Sequence, residues 1–240
     1  MTTRVHPPGR SRIRRPDTAS GRLEGEPPDI DHDLGFERLV FFSDAVFAIA
    51  ITLLIIEVRL PTLPEHPSDA DVTAALRATL PSVFAYVLSF ATIGLYWLSH
   101  WRRWRYIARV NERLVGLNLV LLGLIAFIPF PTALIGEHGD LVTVVVVYAS
   151  ALAAAGIAGP LTWLYAWRSG LALPSVSPTY ARLSAIRGFA VPAVLLGSLL
   201  FLPFVGTTGV EFMWLLIAPV QLLMNRFVRS RVTDRSSAAA

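Results

Sequence analysis

Six long apolar segments separated by short polar ones make up most of the 240-residue chain. Each segment reaches or approaches the length of about 20 residues that a helix needs to cross the hydrocarbon core of a membrane. Proline and glycine residues punctuate the intervals between them. The pattern predicts helices at residues 36–58, 81–101, 113–128, 141–167, 183–205 and 210–228. The predicted fold class is therefore an all-α integral membrane protein, a six-transmembrane-helix bundle.

The composition agrees with this assignment and limits the domain organisation. Hydrophobic residues make up 54% of the chain, the mean hydropathy is +0.55, and there is no cysteine to form disulfides or thiolate sites. Residues 1–34 are charged and turn-rich and contain no apolar stretch of signal-peptide length, so they are expected to form a disordered cytoplasmic tail. Residues 35–229 form one membrane domain, and 230–240 a second disordered cytoplasmic tail.

The arginine distribution predicts the orientation in the membrane. All 21 basic residues are arginine, and an even number of spans places both termini on one side. All but Arg59 and Arg77 then fall on that side, which the positive-inside rule assigns to the cytoplasm. A multi-pass protein of the cell membrane is expected. The bias explains the basic pI without a nucleic-acid partner, and the Trp- and Arg-rich segment 96–105 is interpreted as an interfacial belt.

The first apolar segment has a distinct stripe. At about 100° per residue, Arg38, Phe42, Leu53 and Ile56 fall within about 40° of Ile49, with Thr52 within about 60°. Asp44 lies about 140° away and faces neighbouring helices in this prediction. From the residues alone, ordinary packing or lipid contact explains the stripe better than a pore, since apolar stripes are the rule in membranes.

Four polar residues fall at similar depth in the first three predicted helices: Ser43, Asp44, His100 and Asn118. Polar side chains within membranes are costly and are expected to have partners. Two interpretations follow, a proton relay or ion site, and a hydrogen-bonded clamp between helices. The clamp is favoured, because one carboxylate and one histidine are too few for ion coordination.

Sequence motifs for enzymes are missing. The chain contains no H-E-x-x-H, G-x-S-x-G or P-loop motif, so neither catalysis nor a cofactor is expected. The segment GTTG at 206–209 resembles a potassium filter only loosely, and a turn between two spans is the preferred interpretation.

A short motif and its context resemble a known family. Arg38, Phe42, Ser43 and Asp44 match R-x-x-x-F-S-D, the signature of the transmembrane protein 175 potassium channels. Further matching positions are Trp97, His100, Asn118 and PFPT at 129–132. The resemblance covers about residues 35–135 and is to the prokaryotic, six-helix branch.

This resemblance implies a homotetramer in which the first helix of each copy lines a potassium-permeable pore. It assigns the apolar gate or filter to Ile49, Leu53 and Ile56, and a hydroxyl layer to Thr52. The implied partners are potassium ions, membrane lipids and copies of the chain itself, with no metal beyond transient potassium. The implied signature polar network comprises Arg38, Phe42, Ser43, Asp44, Trp97, His100 and Asn118.

Two other functions remain open at this point. One is a proton-coupled carrier or proton leak that uses Asp44 and His100, two titratable groups at one depth. The other is a membrane scaffold without transport, which docks a partner or lipid through the HWRRWR surface at 100–105.

Overall fold

A computed structural model of the chain describes residues 30–237, and it describes side chains within residues 35–228 and at Ser230. In that part the chain is almost entirely helical. Short 3₁₀ turns, Leu54–Glu57 and Trp214–Leu216, extend the first helix and connect the last two. The helices are α1 Ile30–Leu53, α2 Asp69–Trp104, α3 Glu112–Phe127, α4 Pro129–His138, α5 Val142–Arg168, α6 Pro178–Leu199, α7 Leu202–Met213 and α8 Ile217–Ser237.

Six helical segments are long and apolar enough to cross a membrane, which confirms the predicted number of spans. They are Gly35–Glu57, Asp69–Trp104, Glu112–His138, Val142–Arg168, Pro178–Leu199 and Leu202–Val228. The predicted tails lie outside the described residues, except that residues 30–34 belong to α1 and residues 230–237 to α8. The apolar sequence predicts only the part of a helix that lies in lipid. The helix itself continues into polar sequence wherever the backbone forms i to i−4 hydrogen bonds.

The second span begins earlier than expected, at Asp69 rather than Pro81. A capping box starts it: the Ser68 side chain accepts from the backbone N–H of Asp71, and the Asp71 carboxylate accepts from that of Ser68 (2.8 Å). Pro81 lies inside the helix. At 36 residues, α2 is about 54 Å long, more than the hydrocarbon core of about 30 Å. Residues 69–80, which lie between the first two predicted helices, are therefore helical.

The third span also continues further than expected. Pro129 and Pro131 lie in the first turn of α4, where the missing N–H groups cost little, and α4 runs on to His138. These prolines follow the predicted end of the third helix at residue 128, yet they start a new helix directly after α3. Residues 129–138, which lie between the third and fourth predicted helices, therefore form α4.

The boundary between the last two spans lies at residues 200–201 rather than after Val205. Pro203 lies in the first turn of α7, where it starts a helix instead of continuing one. The turn predicted at 206–209 is present at Gly206, whose φ of 67° interrupts the helical backbone of α7. This left-handed conformation favours glycine, because a Cβ atom would be strained there.

The core surrounds α5, which packs most extensively against α6 and α3. Its buried side chains include Tyr148, Leu152 and Trp163. The small residues of α5 permit close helix approach. At Gly156, a Cβ atom would lie only 2.7 Å from the Pro192 side chain of α6.

Candidate functional site

Two opposite faces of α1 define the candidate site. Ser43, Phe47, Ala50 and Leu54 recur every three or four residues and are all buried against the rest of the bundle. The helix packs on α3 and α2 through this face. Only 22% of the most apolar 18-residue stretch of the first span is buried. Most of the surface of this helix is therefore uncovered in the isolated chain.

The predicted stripe lies on the uncovered surface. The exposed fractions are 57% for Ile49, 41% for Leu53 and 59% for Ile56. Ile56 belongs to the 3₁₀ turn, in which residues three apart eclipse each other, so it lies directly beyond Leu53 along the axis. These three side chains form a continuous aliphatic row.

Thr52 is also exposed, and its hydroxyl donates a hydrogen bond to the Ile49 carbonyl oxygen (2.9 Å). The uncovered surface is wider than the stripe, because Phe41 and Ile55 are exposed as well. The exposure of a single chain therefore does not separate a pore-facing row from a lipid-facing one.

A chain of hydrogen bonds joins α1, α3 and α2 through buried polar groups. The Asn118 amide nitrogen donates to Ser43 Oγ (2.9 Å), and Ser43 Oγ donates to the Leu39 carbonyl oxygen (2.8 Å). His100 Nε2 lies 3.0 Å from Asn118 Oδ1. Because an amide oxygen only accepts, Nε2 carries the hydrogen in this arrangement. The buried amide thus links two neighbouring helices to α3.

Asp44 has a different partner from the other polar residues. The indole N–H of Trp97 donates to Asp44 Oδ1 (2.9 Å), which makes a second connection between α1 and α2. His100 lies among aromatic rings instead, with ring centroids 5.4 Å from Phe47 and 5.1 Å from Trp104. The carboxylate and the imidazole therefore belong to two separate sets of contacts.

Two members of the predicted network lie apart from it. Arg38 and Phe42 are exposed on the same side of α1 as the aliphatic row. The structure therefore brings together five of the seven signature residues and leaves these two outside. Helical geometry accounts for this, since positions 42 and 38 are about 100° and about 140° around the helix from Ser43, the partner of Asn118.

The sequence interpretation missed a buried arginine next to this site. Arg103 was expected in an interfacial belt, but it is buried, and its Nε has no hydrogen-bond partner among the described residues. Helical spacing was the available signal, because position 103 follows the buried Tyr96 and His100 by seven and three residues. Trp101 and Arg105 do fit a belt, with the Arg105 guanidinium 5.0 Å from the exposed Trp101 ring.

The described residues contain no group of three or more His, Asp or Glu side chains that would bind a metal ion. The site thus consists of an uncovered aliphatic row on one face of α1 and a hydrogen-bonded polar set on the other.

Comparison with known proteins identifies relatives of this chain. The family model described as "Endosomal/lysosomal potassium channel TMEM175" matches residues 38–129. A Streptomyces collinus protein named as a potassium channel is 39% identical over 155 residues, which cover 62% of this chain and 74% of that protein. A Chamaesiphon minutus protein, also named as a potassium channel, is 40% identical over 103 residues, 42% of this chain and 49% of the relative.

A human relative and two solved structures extend the comparison. The human protein named "Endosomal/lysosomal proton channel TMEM175" is 35% identical over 107 residues, 42% of this chain and only 21% of that protein. The crystal structure of a lysosomal potassium-selective channel TMEM175 homologue from Chamaesiphon minutus matches with a TM-score of 0.60 and 28% identity, covering 80% of this chain and 98% of that one. A variant of the potassium channel MtTMEM175, bound to a nanobody fusion protein, shares the fold with a TM-score of 0.55 and 23% identity, covering 80% and 93%.

Proposed function

The chain belongs to the TMEM175 family, and from this premise we propose that it is a potassium-permeable cation channel of the cell membrane. Four copies assemble around a central axis, and α1 of each copy lines the pore. Membership of a channel family also argues against an enzyme. The observation that carries the proposal is the match to the potassium-channel family, and the uncovered row of Ile49, Leu53 and Ile56, opposite the buried face of α1, is the surface that we assign to the pore.

The row supplies the gate in this proposal. Four copies of Ile49, Leu53 and Ile56 around an axis form a narrow apolar throat. A throat of this kind stops ions by losing its water when closed, and a small widening admits hydrated or partly dehydrated potassium. No re-entrant filter helix is required.

Thr52 supplies the only hydroxyl among the proposed pore-lining residues. Its hydrogen is donated to the Ile49 carbonyl, so the oxygen lone pairs remain available to a passing cation. Four such oxygens replace part of a cation's hydration shell. A modest preference among cations follows, weaker than that of a filter made of stacked carbonyl rings.

The buried polar set orients α1. Its hydrogen bonds to α3 and α2 fix the rotation of α1 about its own axis, because Ser43 and Asp44 must face Asn118 and Trp97. The aliphatic row then points away from the bundle, toward the other copies. In this proposal the arginine-rich ends of the spans, and both termini, lie in the cytoplasm.

Proton permeation is the second candidate, because mammalian relatives carry the name of proton channels. A relay from Asp44 to His100 has little support, since the two residues bind different partners. Protons would instead follow the water in the α1-lined pore. Reversal potentials of the purified protein in planar bilayers, under separate potassium and proton gradients, distinguish the two ions. A proton current that is lost in Asp44→Asn, with assembly intact, would favour the relay.

Substitution of the gate tests the proposed pore. We expect Ile49→Asn to hydrate the throat and raise potassium flux in liposomes by about fivefold, which corresponds to a barrier lower by about 1 kcal/mol. Ile55→Asn is the matched control, since Ile55 is 52% exposed on the same helix but lies off the row. Equal flux through both variants, when each forms the assembly of the parent chain, would refute the placement of Ile49 in the pore.

A further inference from the structure

A second site lies at the end of the bundle where α1 terminates. A cavity of about 740 Å³ opens between α2, α4, α5 and α7. Its volume falls within the range of about 300–1,000 Å³ that is typical of small-molecule sites. The aliphatic row and the polar set of α1 do not contribute to its lining. The cavity is therefore separate from the proposed pore.

The floor of the cavity consists of buried side chains that pack against one another. Tyr148 and Trp214 are both buried there, with ring centroids 5.1 Å apart. The Tyr148 hydroxyl is 2.8 Å from Ser89 Oγ, which is 2.8 Å from Thr132 Oγ1. These buried hydroxyls satisfy one another, so the floor is preformed and needs no ligand to order it.

One wall of the cavity is aromatic. The rings of Phe84 and Phe212 form a tilted pair with centroids 6.3 Å apart, and Phe212 is 62% exposed. Aromatic rings present a negative face to a ligand, which attracts a cation that approaches within about 6 Å. This wall can therefore contact both an apolar group and a positively charged group of a ligand.

The charge of the lining is negative. Glu211 is partly buried. Its carboxylate lies against the end of α4: a Cβ atom added to Gly139, the residue after this helix, would be 2.7 Å from Glu211 Oε1. Within the described residues no cationic side chain forms an ion pair with Glu211. Glu137 and Asp140 add two carboxylates, and Arg59 is the single arginine among the lining residues.

We propose that this cavity binds a small hydrophobic ammonium compound. The ammonium group pairs with the Glu211 carboxylate. The apolar part of the ligand packs against the Phe84–Phe212 pair on one side and Leu88 on the other. A neutral compound of the same shape lacks the charge interaction. The proposal concerns binding alone and stands whether or not the chain conducts potassium.

The test uses 2-phenylethylammonium as the probe and 2-phenylethanol as its neutral counterpart. Binding to the purified full chain in phosphatidylcholine nanodiscs is measured by calorimetry, with the heat from empty nanodiscs subtracted. We expect Glu211→Gln to weaken binding of the amine by about tenfold and to leave binding of the alcohol unchanged. Glu65→Gln is the control, because Glu65 is exposed outside the cavity. Equal affinity for amine and alcohol, or no effect of Glu211→Gln, would overturn the proposal.

A second pair of variants tests the location independently of charge. Ala78 is exposed and lines the cavity, whereas Ala74 is exposed one turn earlier on α2 and does not. We expect Ala78→Trp to fill the cavity and abolish amine binding, and Ala74→Trp to preserve it. This pair decides the question if Glu211→Gln fails to fold. Amine binding that survives in folded Ala78→Trp would place the ligand elsewhere.

Discussion

The two faces of α1 differ in chemistry, in burial and in what a mutation is expected to change. One face carries Ser43 and Phe47, buried against α2 and α3 and linked to them by hydrogen bonds. The opposite face carries Ile49 and Leu53, which remain exposed. Aliphatic residues lie on both faces, so hydrophobicity alone does not distinguish their roles.

The difference between the two faces follows from how lipid solvates apolar and polar side chains. Lipid solvates apolar side chains well, so an aliphatic row gains little by being buried within its own chain. Polar groups gain more from internal partners, because lipid offers them none. The buried face therefore carries stability and orientation, and the exposed row is free for the proposed assembly and ion passage.

The largest difference is expected between two phenylalanines. Phe47 is 1% exposed and contacts the His100 ring, whereas Phe42 is 51% exposed. We expect Phe47→Ala to lower the free energy of unfolding by about 3–5 kcal/mol, from the cavity that remains. Phe42→Ala is expected to change it by less than about 0.5 kcal/mol. Thermal unfolding in the same detergent measures both, and equal losses would show that the two faces are not distinct.

A smaller effect is expected for the polar set. Asn118→Ala removes two bonds between helices, to Ser43 and to His100, and should cost about 1–2 kcal/mol. Ser43→Ala removes one of these bonds. The double variant should therefore cost less than the sum of the two single variants. Strict additivity in the same unfolding assay would mean that the Ser43–Asn118 bond contributes nothing.

The smallest effect is expected on the exposed row. Thr52→Val preserves the shape of the side chain and removes the oxygen that faces the proposed pore. We expect unchanged stability and a shift of about twofold in the potassium-to-sodium permeability ratio, equivalent to about 0.4 kcal/mol. Reversal potentials in planar bilayers measure the ratio. A stability loss with an unchanged ratio would assign Thr52 to packing instead of the pore.

Much of the fold was predictable from the sequence because membrane spans are local features. About 20 apolar residues suffice to predict a span, and the six predicted segments are all present. The boundaries were less predictable: α2 starts twelve residues before Pro81, although Ser68 and Asp71 already have capping-box spacing. A helix that leaves the membrane loses its apolar signal while its backbone bonds continue.

The candidate site was predictable in part. Helical periodicity predicted that Ile49, Leu53 and Ile56 lie on one side of the helix. The similar depth of Ser43 and Asn118 in the membrane predicted that they lie close together, and they are hydrogen-bonded. Periodicity did not predict that Asp44 binds Trp97 while His100 binds Asn118. Partner choice depends on the distance and rotation of neighbouring helices, which no single segment encodes.

The sequence by itself determined the six apolar spans, the arginine bias between their ends and the aliphatic row on the first of them. Each depends on residues close together in the chain and on the contrast between lipid and water. Only the tertiary structure decided that Arg103 is buried and that Glu211 lines a cavity beside Phe212. Those features depend on how separate helices pack, because a side chain's burial and charge partners come from segments far away in sequence.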